Sequence, residues 1–497
     1  MKRLDVASVA LVLVGLTGCY TVRGSHGGGE TEAPRRAFGR LIRTSDVALP
    51  AGYRLEAVAI GLNMPTGVAV DEANNVYVVE SGLLSETGQN TVPRILQVLP
   101  VHREIARGAD NGPWNGLTYH QGYFYVAEGG TKQGGKILRI SQQGQIRALV
   151  ENLPSFGDHH TNGPVVGPDG YVYFGQGTAT NSGVVGIDNA QLGWLKKHPE
   201  FRDVPCRDMK LKGVDFTSKN PLTPDPDDEI KTGAFVPFGT QTEAGEVVPG
   251  QVPCSGAIMR VSPDGGAPQL VAWGMRNPYG LAFAPNGKLY VTDNGYDVRG
   301  SRPVFGAGDF LWEVKTGLWY GWPDYVGGRQ TAEDRFAPPG EKGRNAALLA
   351  EIPNKAPWPT ALFGVHSSSD GLDISRSGQF GYAGNAFVAQ FGDMAPQVGK
   401  VMDPVGFKVV RVDLSRGGPG APVHEFAANK HGSGPASYHD HGGLERPIAV
   451  RFDRTGNALY VVDYGIMTMT GKKGADDQET PRTRQRTGVV WRITRGG

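Results

Sequence analysis

Cysteine is scarce. Three residues in a chain of 497 leave no room for a cysteine-built metal centre, and no CxxCH, HExxH, GxSxG or phosphate-loop pattern is present to support c-type haem, zincin, serine-hydrolase or nucleotide chemistry. Net charge is also lacking. Lys plus Arg number 50 against 49 Asp plus Glu, so no long-range field recruits a polyanion, and no basic stripe with interleaved aromatics marks a nucleic-acid surface. Beyond the first residues no segment is apolar and long enough to cross a bilayer. What the chain has in quantity is turn chemistry: 73 Gly and 35 Pro point to many short strands instead of long helices.

The N-terminus reads as a targeting segment. Lys2 and Arg3 precede the short apolar run "VASVALVLVGL", which ends in "LTGC" at 16–19. That tetrapeptide resembles the bacterial lipoprotein box. It implies a signal peptide over 1–18, lipidation of Cys19 and an extracytoplasmic protein anchored by lipid at the periplasmic face or the cell surface. A Gly-rich, charged, aperiodic tether is expected over 19–49. Cys206 and Cys254 then remain in an oxidising compartment, where a disulfide is the expectation and two free thiols the alternative; the bond would contribute roughly 3–4 kcal/mol through loop closure.

From residue 50 onward one pattern recurs six times: a short apolar strand, a polar turn, and a second strand with an aromatic and Val at its centre. The copies include "GVAVDEANNVYVVESG" (67–82), "GLTYHQGYFYVAEGG" (116–130), "GPVVGPDGYVYFGQG" (163–177) and "GLAFAPNGKLYVTDNG" (280–295), with two more beginning at 371 and 448. Third strands such as "KILRI" and "VVWRI" follow most of them. Tyr77, Tyr125 and Tyr173 set a period of about 48 residues, the size of a propeller blade. The expected fold is therefore all-β, a six-bladed β-propeller over 50–497 with loop insertions, the largest at about 178–254. The acidic run "TPDPDDEI" inside that insertion is read as a solvated stretch before a Ca²⁺ site, and 465–488 as a loop. His439 and His441 in "YHDHGG" are read as a polar loop before a metal pair.

In a propeller the residues just before each first strand converge on one mouth of the channel. Those positions hold His159, His160, Arg276, Asn277, His366, Asp370 and Arg446. Two arginines beside a histidine form an anion pocket with a candidate base.

The stretches "DHHTNGPVVGPDGYVYFG", "WGMRNPYGLAFAPNGKLYVTDNGYD", "GLWYGWPDY" and "FKVVRVDL" resemble the glucose/sorbosone dehydrogenase family, six-bladed propellers that include the soluble quinoprotein sugar dehydrogenases. The resemblance covers about residues 50–495 outside the insertions. It implies oxidation of a sugar or other alcohol with pyrroloquinoline quinone (PQQ) and Ca²⁺, electrons passing to an acceptor that the sequence does not name. His160 matches the general base, Arg276 and Asn277 the cofactor-binding pair, and Arg446 a cofactor arginine. Gly295 and Tyr296 match the two backbone carbonyls that bind calcium. Thr178 stands where the family has an acid that orients the base, Asp309-Phe310 where it has an Asp-Glu pair, and "QFGD" (390–393) has no lysine at the position of a cofactor lysine. A non-catalytic carbohydrate- or protein-binding propeller and a metal-dependent lactonase-type hydrolase are the alternatives.

Overall fold

Each repeat of the sequence becomes one antiparallel sheet because its strands are short, its turns carry Gly, and its apolar residues fill both faces. The computed structural model describes residues 39–496 apart from 84–90, 131, 191–192, 396–397, 400, 402 and 474–478. Blade 1 consists of Pro65–Val70, Val76–Glu80, Arg94–Leu99 and Arg103–Arg107. Blade 2 is Trp114–His120, Tyr123–Glu128, Gly135–Ser141 and Ile146–Leu153. Blade 3 takes Thr161–Val166 and Val172–Gln176, then resumes after the insertion with Ala257–Val261 and Gln269–Trp273. Blade 4 is Pro278–Phe283, Leu289–Asp293, Gly308–Glu313 and Ala361–Val365. Blade 5 is Ser369–Ile374, Ala386–Gln390, Lys408–Val412 and Val423–Asn429.

Blade 6 is completed from the other end of the chain. Pro447–Phe452, Ala458–Asp463 and Gly488–Arg495 receive Tyr53–Leu62 as their outermost strand, which ties the ends of the ring together. Val47–Ala48 adds a fifth strand to blade 5. Residues 39–49 therefore do not belong to a tether. Arg40 donates to the carbonyls of Gly443 and Thr487 and pairs with the buried carboxylate of Asp463, so this stretch is packed onto the closing blades. The signal segment and Cys19 lie outside the described residues.

The first strands surround a narrow channel. A Cβ on Gly116 would lie 2.4 Å from the Cα of Gly163, so neighbouring blades touch backbone to backbone there. Apolar side chains form wedges between blades. Tyr77, Trp114 and Phe124 fill the wedge between blades 1 and 2, and Phe387, Phe452 and Trp491 that between blades 5 and 6.

The insertion contributes two short helices, Ile187–Ala190 and Trp194–Lys197, one small hairpin, and a two-stranded pair, Met209–Lys210 with Val247–Val248, that encloses it in sequence. "TPDPDDEI" runs through the turn of the hairpin Phe216–Lys219 and Glu229–Thr232 and into its second strand. Cys206 and Cys254 form a disulfide that closes the insertion against blade 3. The stretch expected as a loop near the C-terminus pairs as a hairpin, Met467–Lys473 with Glu479–Thr483. Among the described residues no helix is long and apolar enough to cross a membrane.

Candidate functional site

An acid at the end of a blade's second strand holds the loop that precedes its first strand. In blade 4 this is Asp293, the residue that ends the strand in "VTDNG". Its Oδ1 accepts the backbone N–H groups of Arg276 (3.0 Å) and Asn277 (2.8 Å), and its Oδ2 accepts Trp312 Nε1–H at 3.1 Å. Asp463 does the same in blade 6 for Glu445, Arg446 and Trp491 Nε1. The repeated turn thus fixes the mouth residues from behind. Gly295 follows because a Cβ there would lie 2.3 Å from the Gly308 carbonyl oxygen. Its N–H donates to Asp309 Oδ1 at 2.9 Å.

These loops border a cavity of about 230 Å³ whose wall comes from blades 3, 4 and 5 and from the insertion. Four carboxylates (Asp158, Asp188, Asp297 and Asp309) face two guanidiniums, Arg276 and Arg299, across it. Arg299 Nη1 contacts Asp158 Oδ2 at 2.7 Å and Asp188 Oδ2 at 2.8 Å, while its Nε reaches Asp297 Oδ2 at 3.0 Å. Arg276 Nη2 meets the same Asp297 oxygen at 2.6 Å. Burial pushes the Asp297 carboxyl up, but Arg276 and Arg299 outweigh it and hold the group below the usual carboxylate range. Asp188 is raised to about 6, burial prevailing over its contact with Arg299. Asp309 is raised by burial as well.

The two adjacent histidines part company. His159 lines the cavity and His160 does not. Both precede the strand that begins at Thr161. His160 turns its Nδ1 to the Ser155 carbonyl at 3.3 Å. His159 Nδ1–H donates to the Thr178 carbonyl at 2.9 Å, with Thr178 Oγ1 at 3.2 Å. That bond leaves the lone pair on Nε2. Burial lowers the His159 pKa well below the ordinary value, with Arg276 and Arg299 adding to it, so the imidazole is neutral at neutral pH. His160, the expected base, is thus not among the lining residues, and the imidazole on the cavity is one residue earlier.

Arg276 and Asn277 both line the cavity. Asn277 Nδ2–H donates to Asn294 Oδ1, and its Oδ1 accepts from Asn162. Arg446 is not among the lining residues. It is wholly buried, stacked between the rings of Phe391 and Phe407, with Nη1–H shared among the carbonyls of 391–393. The Tyr296 side chain is buried in the core, its hydroxyl donating to the Tyr325 carbonyl. His366, on the expected rim, does line the cavity; its Nδ1 lies 3.6 Å from Asp297 Oδ1. Asp370 is buried behind the wall, accepting from Asn294. Among the described residues the lining thus comes from three consecutive blades and the insertion, not from six blades.

Sequence reasoning missed Asp297 and Arg299, although they stand in "GYDVRG" directly after the turn it singled out. It also missed Asp188 and Asn181, for which the aperiodic insertion offers no signal. The Asn181 carbonyl accepts Arg276 Nε–H at 3.1 Å, and its side chain holds the backbone of Asp297. His439 Nε2–H donates to the Ser433 carbonyl, and the His441 ring packs on His431. Among the described residues no group of three or more His, Cys, Asp or Glu is arranged to hold a metal ion.

The donor set fits the two expected cofactors unequally. Arg276 and Asn277 on the wall suit the carboxylates of an anionic quinone, and Arg446, whose buried Nε and Nη2 make no hydrogen bond, backs that wall through the Gly392 carbonyl. Calcium does not fit at Gly295. That carbonyl already accepts Arg276 Nη1–H at 2.6 Å, and a divalent cation on the same oxygen would sit against a fixed positive charge.

The fold and site define a six-bladed β-propeller with a polar, histidine-bearing cavity at one channel mouth. No family model matches the chain. It is similar to quinoprotein glucose dehydrogenase B of Acinetobacter calcoaceticus, with 26% identity over 181 residues, a match that covers 36% of this chain and 29% of that relative. Among solved structures, the calcium structure of a Carbohydrate-Active Enzymes Family AA12 protein from Trichoderma reesei superimposes with a TM-score of 0.54 at 14% identity, covering 94% of this chain and 100% of the other. The holo form of the pyranose dehydrogenase PQQ domain from Coprinopsis cinerea gives 0.52 at 14% identity, covering 93% and 98%. Both share the fold.

Proposed function

We propose that this chain is a quinoprotein that oxidises a sugar or other alcohol at the channel mouth, with His159 as the base. The observation that carries the reading is the cavity-lining imidazole, neutral and tied at Nδ1 so that Nε2 accepts a proton. The similarity to a quinoprotein glucose dehydrogenase supports the same chemistry. In the reaction a substrate C–H bond and O–H bond break and a C=O bond forms. The hydroxyl proton goes to His159 Nε2, and PQQ, when bound, supplies an o-quinone that takes the hydride. Arg276 and Asn277 would hold that cofactor, with Arg446 behind the wall at Gly392.

Arg276 has a further role as a fixed cation, already oriented by Asp297, Gly295 and Asn181, where negative charge develops. The carboxylates of the wall accept hydrogen bonds from substrate hydroxyls and disfavour anionic sugars. Of the two carbonyls expected to bind calcium, that of Gly295 is engaged by Arg276, so no step is routed through the ion. The electron acceptor is unidentified.

The test is reconstitution of the purified protein with PQQ, with and without Ca²⁺, followed by dye reduction over a panel of aldoses and polyols. Turnover with PQQ alone is expected. Failure of PQQ to bind under either condition favours a propeller that binds carbohydrate or protein without turnover. We also propose lipidation of Cys19 and an extracytoplasmic location. Cys19→Ala should move the protein out of the membrane fraction, and unchanged membrane association would reject the anchor.

A further inference from the structure

The family's acid partner for the base is replaced here by Thr178, yet the structure supplies a carboxylate by another route. Asp203, from the insertion, is 1% exposed, and its Oδ1 accepts the Ala179 N–H at 2.6 Å. That N–H and the Thr178 carbonyl belong to one peptide group. On its other side, the Thr178 oxygen accepts both the Nδ1–H (2.9 Å) and the backbone N–H (3.2 Å) of His159. Asp203 Oδ2 accepts Thr180 Oγ1–H at 2.5 Å, and Val204 N–H is held by Ser255 Oγ beside the disulfide, so the carboxylate is fixed on both flanks.

We propose that Asp203 and His159 form a dyad bridged by a single peptide unit, with Asp203 as the positioning residue of the base. Peptide resonance couples the N–H to the C=O of the same unit. A carboxylate on the N–H therefore increases the negative charge on the Thr178 oxygen, and that oxygen binds the imidazole proton more tightly, as expected of a hydrogen-bond chain in a low-dielectric interior. The consequence at the far end is a more basic Nε2 and one fixed tautomer. The inference rests on His159 as the base for its catalytic meaning, but its geometry stands without cofactor or substrate.

Titration makes the bridge observable. Burial raises Asp203 to about 7, so the carboxylate forms as pH rises through that value, while His159 stays neutral there. Arg276, Arg299 and Asp297 face His159, and Asp158 lies near Asp203. Asp188, also on the cavity, titrates lower, at about 6.

The experiment is imidazole ¹H–¹⁵N NMR of the ligand-free protein across pH 5–9, on wild type and Asp203→Asn. The wild-type His159 Nδ1–H resonance is expected to move downfield with a midpoint near 7, matching the ¹³C titration of the Asp203 carboxyl. Asp203→Asn should abolish that movement. In the reconstituted enzyme it should lower kcat about tenfold with KM unchanged. An Nε2–H tautomer, a wild-type Nδ1–H that does not follow Asp203, or the same movement in Asp203→Asn would each overturn the dyad. If Asp203→Asn does not fold, the wild-type titration decides alone. Loss of stability with an unchanged imidazole resonance would assign Asp203 to structure only. Absence of PQQ turnover with the expected resonance shift would reject the dehydrogenase chemistry and leave the dyad in place.

Discussion

At the scale of single residues, the site depends on which way a side chain turns. His159 and His160 are the same residue type, and the structure separates them by their partners: His159 is tied to Thr178 on the cavity, His160 to Ser155 away from the lining. Arg276 and Asn277 were legible because they precede a first strand in the repeat. Asp203 was not, because it acts across a peptide group from an insertion without periodicity. The pH dependence follows from burial. A base works deprotonated, and the buried imidazole of His159 has its pKa lowered from the ordinary 6.5. The acid limb set by the imidazole should therefore fall below pH 6.5, apart from the step of about tenfold near pH 7 that ionisation of Asp203 adds; full loss of activity above pH 6.5 in Asp203→Asn would mean that another group is the base.

At the scale of elements, the first two strands of every blade were readable from their apolar centres and Gly turns, whereas most of the outer strands were not. The outer strands Arg103–Arg107 and Tyr53–Leu62 are partly exposed and carry charged residues, which weakens the alternation a strand signal needs. The closing strand is also displaced to the other end of the chain, where no repeat phase reaches it. The insertion is an element of the site as much as a decoration: it brings Asp188 to the cavity wall and Asn181 to Arg276. Its disulfide spans a sequence separation of 48. Loop-closure entropy assigns such a link about 4 kcal/mol. Replacing Cys206 and Cys254 by Ser should lower the denaturant midpoint by a matching amount, measured by urea titration of the circular dichroism signal. An unchanged midpoint would show that the insertion is held by its packing alone.

At the scale of the whole molecule, work is divided around the ring. Among the described residues, blades 3, 4 and 5 with the insertion line the cavity, and blades 1, 2 and 6 contribute none of its lining. Trp114 belongs to the second group. It is fully buried between blades 1 and 2, with its Nε1–H on Glu128 Oε2 at 3.0 Å. Trp114→Ala should cost roughly 3–5 kcal/mol of stability, the range for truncating a large buried aromatic. It should leave kcat of the folded fraction unchanged, and a parallel loss of kcat would show that the ring transmits strain to the mouth. The claim on which the account turns is that His159 takes the substrate proton, and the most direct measurement is kcat of the PQQ-loaded His159→Ala and His160→Ala variants side by side. The account predicts a loss of about 10²–10⁴ for His159→Ala and near wild-type turnover for His160→Ala. The reverse order, or wild-type turnover in His159→Ala, would contradict it.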